Sequence, residues 1–62
     1  MLYNVTSMEL KVMELKQNIR DAKGDTEDTH IKSTLLKTSN LLDYIASNLT
    51  YLKQYCKEKG IK

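Results

Sequence analysis

The stretch IKSTLLKTSNLLDYIASNLTYLKQYCKE, residues 31–58, decides the fold of this 62-residue chain. Within it Ile31, Leu35, Thr38, Leu42, Ile45, Leu49, Leu52 and Cys56 recur at alternating steps of four and three, with no Gly or Pro between them. That spacing predicts one long helix, about residues 30–58, carrying an apolar heptad seam. With Leu42 placed at position a, Leu41, Tyr55, Tyr44 and Tyr51 fall at g and c and widen the apolar face on the d side. Ser39, Asn40, Asp43, Ala46 and Ser47 fall at e, f and b on the other side, where they are expected to face water. Leu36 also takes a b position, a large apolar residue beside a polar patch.

Working towards the N-terminus, Gly24-Asp25-Thr26-Glu27-Asp28-Thr29-His30 is the only turn-like cluster. Asp25, Thr26, Asp28 and Thr29 all have side chains that can cap the following helix, and Glu27 and Asp28 suit the positive end of its dipole. Before the turn, Val5, Met8, Val12, Leu15, Ile19 and Ala22 form a second heptad seam. The first helix is expected over about residues 5–23, with Thr6 and Glu9 as a capping box, although Met1 extends the seam backwards. Gly24 is the expected left-handed C′ residue, leaving a loop over 24–29. Two helices joined by so short a link pack as antiparallel neighbours. The expected fold is therefore all-α, a single helical-hairpin domain over residues 1–62.

Composition sets limits on function. Ten Lys and Arg against eight Asp and Glu leave a net charge of +2, too balanced to call for nucleic acid or an anionic membrane. No apolar run approaches the roughly 20 residues that span a bilayer. Met1-Leu2-Tyr3-Asn4-Val5 lacks the cationic start and apolar core of a signal peptide. The single Cys cannot form an internal disulfide, and a cytoplasmic location is the expectation. A chain this short buries only about 60% of its unfolded surface. Self-association follows as an expectation, with the Leu41/Tyr44/Tyr51 flank and the end bearing Leu52, Tyr55 and Cys56 as the surfaces a second copy would cover. The closing residues 57–62 read as a frayed, solvated tail.

Chemistry has few places to sit. His30 stands at the start of the second helix and Cys56 at its far end, so neither a metal cluster nor a Cys–His pair is expected. The chain contains no Gly-rich phosphate loop, and a two-helix hairpin encloses no small substrate. Any reaction must complete a site on another protein.

The residues that point to one are Leu35-Leu36-Lys37-Thr38-Ser39-Asn40-Leu41-Leu42-Asp43-Tyr44-Ile45. They resemble the signature of the stage-zero sporulation protein E-like aspartyl-phosphate phosphatases. That family carries Ser-Gln-x-Leu-Asp on the second helix of a short hairpin, with an apolar residue two positions beyond the Asp. Ser39, Leu42, Asp43 and Ile45 match, while Asn40 stands in place of the Gln. The first helix is also similar, from Met8-Glu9-Leu10 through Glu14-Leu15-Lys16-Gln17-Asn18-Ile19 to the break at Lys23-Gly24.

The resemblance implies a phosphatase that acts on a phosphorylated response regulator, the master regulator of sporulation, and so restrains sporulation. Mg²⁺ would sit on that regulator, and the chain would need no cofactor of its own. By the same resemblance Asp43 is the catalytic candidate, with Asn40 beside it in the role of the family's Gln. Leu36, Ser39, Ala46 and Ser47 would meet the partner, the small side chains allowing close approach. The competing reading is a non-enzymatic interaction module: a hairpin that forms a dimeric bundle, or an inhibitor that docks on a host protein. An RNA-binding dimer would need a basic stripe, but Lys11, Lys16, Arg20, Lys32, Lys37 and Lys53 are scattered.

Overall fold

The computed structural model describes all 62 residues, and it contains two helices and no strand. Helix α1 runs Leu2–Asp25 and helix α2 runs Thr29–Lys59, of 24 and 31 residues. They pack as an antiparallel hairpin measuring 48 × 15 × 10 Å.

The turn is built by side-chain capping. Thr26 leaves α1 in extended conformation and its Oγ1 accepts from the Asp28 amide at 3.1 Å. Asp28 is the N-cap of α2: its carboxylate accepts from the amides of His30 at 2.9 Å and Ile31 at 3.1 Å, two donors that would otherwise lack partners.

Three local expectations are corrected. The chain is already helical from Leu2, so Thr6 lies inside α1 and its hydroxyl donates to the Leu2 carbonyl instead of capping. Gly24 lies within the last turn of α1; Gly60 is the residue with left-handed backbone, φ 68°. Around Gly60, Ile61 N–H bonds to Cys56 O and Gly60 N–H to Lys57 O, the paired closure of a Schellman motif. The final residues are accordingly ordered rather than frayed, and the Lys62 carbonyl accepts from the Leu2 amide at 2.8 Å and the Met1 amino group at 2.9 Å.

The core differs from the expected seam by a rotation of both helices. Val5, Val12 and Ile19 on α1 and Leu42, Leu49 and Cys56 on α2 are buried, all at a positions. The second row of each seam is e, not d: Glu9 and Lys16 on α1 and Ser39, Ala46 and Lys53 on α2 are half-buried. Ile45, a residue of the expected seam, is 43% exposed, and Met8 and Leu15 are also exposed.

The side chains supply the reason. Ser39 and Ala46 are small enough to let α1 lie close against that side of α2, and Ala46 packs on the core cluster. Opposite them, Glu9 and Lys16 cover the seam with their aliphatic stems while their charged ends reach the rim. There Glu9 pairs with Lys53 at 3.3 Å and Lys16 with Asp43. The pairs and the joined ends set a register that places Val5 level with Cys56, Val12 with Leu49 and Ile19 with Leu42. Because α1 begins at Leu2, it reaches the far end of α2, and Cys56 is 2% exposed rather than bare. The Leu41, Tyr44, Tyr51 and Tyr55 flank lies outside this core, exposed, with Tyr51 and Tyr55 tilted together at 6.3 Å.

Candidate functional site

Leu36, Asn40, Asp43 and Ser47 follow one another at steps of four, three and four along α2, which lines them up on one strip of the helix. All four are exposed. Leu42, adjacent to Asp43, is buried, only 8% exposed, and ties the strip to the core, so Asp43 stands on a fixed backbone while its side chain is 57% exposed. Ser39 and Ala46 do not join the strip as open surface. They are half-buried between it and α1, so their small size serves the approach of α1 first, with only their outer edges left for a partner.

Asp43 is not a free carboxylate. Lys16, one third exposed, reaches across from α1 and its Nζ lies 2.5 Å from Asp43 Oδ1. Beside this pair, Met13, Lys16, Gln17 and Arg20 line a shallow open depression of about 230 Å³ on α1. Gln17 is held by a 3.1 Å hydrogen bond from its Nε2 to Asp21. The site is therefore two-sided. One helix contributes an amide and a carboxylate, and the other contributes two cations, an amide and a thioether.

These α1 residues were not predicted as part of the site. Lys16 and Arg20 had looked merely scattered, because each is read on its own helix wheel until the antiparallel register brings α1 alongside Asp43. A signal did exist, since Lys16 occupies an e position next to a seam that would otherwise be apolar.

The arrangement can dock against a protein surface and present Asp43 and Asn40 to it, but it encloses nothing. His30 and Cys56 take no part: His30 is exposed at the first turn of α2, and Cys56 is buried at the opposite end. No group of three His, Cys, Asp or Glu side chains is placed to hold a metal ion. No helix is long and apolar enough to cross a membrane. The chain matches no protein-family model, no curated protein and no solved structure.

Proposed function

We propose that this hairpin is a protein aspartyl-phosphate phosphatase that acts on a response regulator of the sporulation phosphorelay and so restrains sporulation. The observation that carries the reading is the placement of Asp43: on the sporulation-phosphatase-like motif, outside the core, on an exposed strip whose backbone the buried Leu42 holds still.

The chemistry suits so small a scaffold. The phospho-aspartate of a response regulator is an acyl phosphate, already activated, so an incoming helix need only align a water and exclude bulk solvent. The water oxygen forms a bond to phosphorus as the bond from phosphorus to the regulator's carboxylate oxygen breaks. This leaves a free carboxylate and inorganic phosphate, and the water's proton passes to solvent. The regulator supplies the Mg²⁺ and this chain supplies none.

Asn40 would hydrogen-bond the attacking water in the role of a Gln, though its amide is one methylene shorter. Asp43 would fix that water or engage a cation of the regulator. Lys16 holds the Asp43 carboxylate towards the seam until the partner arrives. Leu36, exposed on the same strip, would provide apolar docking contact, with Ser47 and the outer edges of Ser39 and Ala46 permitting close approach. A cytoplasmic location goes with such a partner.

The open shape of the site also supports a second reading, in which the same strip docks on a host protein without chemistry. A time course of phosphate release from a purified phosphorylated regulator separates the two. Acceleration by the hairpin supports the phosphatase, and binding without acceleration supports the module.

A further inference from the structure

The antiparallel register gathers cations that lie scattered along the sequence. In a hairpin packed through a and e, the e and b positions of both helices border one face, the side crossed by the Lys16–Asp43 and Glu9–Lys53 pairs. That face carries six of the ten Lys and Arg residues: Lys16, Arg20, Lys23, Lys32, Lys53 and Lys57. Its only acids are Glu9 and Asp43, each already paired with one of those lysines. The other acids of the two helices, Glu14, Asp21, Asp25 and Glu58, sit at c and g, and Asp28 at the turn is occupied in capping α2. Six cations against two carboxylates leave an excess of four positive charges on one face of a chain whose net charge is +2.

The excess is concentrated beside the motif. Ile19 lies level with Leu42, so Arg20 and Lys23 run alongside Ser39 and Leu36, with Lys32 one turn before Leu36 on α2. Lys23 and Lys32 are half-buried at e positions, their stems laid on the seam and their ammonium groups at the rim. Lys16, Arg20 and Lys23 span roughly 10 Å of helix, close to the Debye length of about 8 Å at physiological salt, so their fields add.

We propose that this face docks on an acidic protein surface, steered there by the Arg20, Lys23 and Lys32 cluster. The kind of partner follows from what stands among the cations. Leu36 and Met13 offer apolar contact on the same face, which a protein surface can match. Glu9 and Asp43 would meet the backbone phosphates of a nucleic acid as like charges. On the phosphatase reading, on which the identity of the partner rests, the acidic surface is the rim of the regulator's phosphorylation site, where the phosphoryl group adds negative charge. Complementary charge of this kind acts mainly on the rate of encounter.

The test uses two probes, one of which needs no regulator. Poly-L-glutamate is titrated into the isotope-labelled native hairpin and followed by amide NMR, with a single-stranded oligonucleotide in parallel. Shifts should concentrate at Lys16, Arg20, Lys23 and Lys32 and spare Lys11 and Lys37, which lie at g and c. Association with the phosphorylated regulator is then timed at rising salt. Arg20→Glu/Lys23→Glu should slow association about tenfold or more at low salt, with the gap closing at high salt and helix content retained. Lys11→Glu/Lys37→Glu makes the same change in net charge off this face and should keep most of the native rate. The titration of the native chain decides even where a variant fails to fold. Shifts spread evenly over all lysines, tighter binding of the oligonucleotide than of poly-L-glutamate, or equal slowing in both double variants would each overturn the proposal. A regulator that neither binds nor loses phosphate, with poly-L-glutamate still seated on this face, would support the acidic docking surface and count against the phosphatase reading alone.

Discussion

Lys16 and Asp43 form an ion pair across the rim of the hairpin, joining the first helix to the residue on which the proposed chemistry depends. Both members are partly solvated, with side chains 32% and 57% exposed, so the pair contributes only about 0–1 kcal/mol to stability. Its consequence is positional. The carboxylate is drawn towards α1 and the Met13/Lys16/Gln17/Arg20 depression, so a docking partner meets a prepared polar edge.

Leu42 and Ile45 separate core from surface within one turn. Leu42→Ala should cost about 2–5 kcal/mol, which approaches the whole stability of so small a domain, and the variant should be largely unfolded by circular dichroism. Ile45→Ala should melt close to the parent, because Ile45 is 43% exposed. A parental melt for Leu42→Ala would show that the hairpin is not packed through the a positions.

The two glycines should respond with opposite signs. Gly24 is helical and a Cβ there meets nothing within 4 Å. Gly24→Ala should therefore stabilise by about 0.4–1 kcal/mol, by restricting the unfolded chain. Gly60 closes α2 at φ 68°, so Gly60→Ala should destabilise by about 1–2 kcal/mol, the cost of a Cβ in left-handed backbone. Urea melts of the two variants measure both, and destabilisation by Gly24→Ala would restore the expected break at that residue.

On the motif strip, Leu36→Ala should raise KM for the phosphorylated regulator more than it lowers kcat, because it removes docking contact rather than the aligning groups. Asn40→Gln lengthens the amide to the family's residue and should preserve or raise the rate. Steady-state phosphate release resolves the two parameters. A fall in kcat alone for Leu36→Ala would place that side chain in the chemistry instead of the docking.

The hairpin was legible in the sequence because two heptad seams flank one turn cluster, and the a-position core, Val5 to Ile19 and Leu42 to Cys56, follows from those seams. Which neighbour of the a row faces inwards was not legible. The d row is the more apolar, and nothing on a single helix wheel shows that Ser39 and Ala46 offer α1 a closer approach on the e side. Asp43, Asn40, Leu36 and Ser47 could be placed on one exposed strip from spacing alone. Lys16 could not, because its pairing with Asp43 depends on the register of two helices whose contact is distant in sequence.

The most direct measurement is a time course of labelled phosphate leaving a purified phosphorylated response regulator, with the native hairpin and Asp43→Ala at matched concentration. Asp43 is largely exposed and outside the core, so the variant should keep its helix content and melt within about 1 kcal/mol of the native chain. The native protein should accelerate hydrolysis, and Asp43→Ala should leave the regulator decaying at its own rate. Full acceleration by the folded Asp43→Ala variant would contradict the mechanism, and no acceleration by the native chain would leave a docking module in place of a phosphatase.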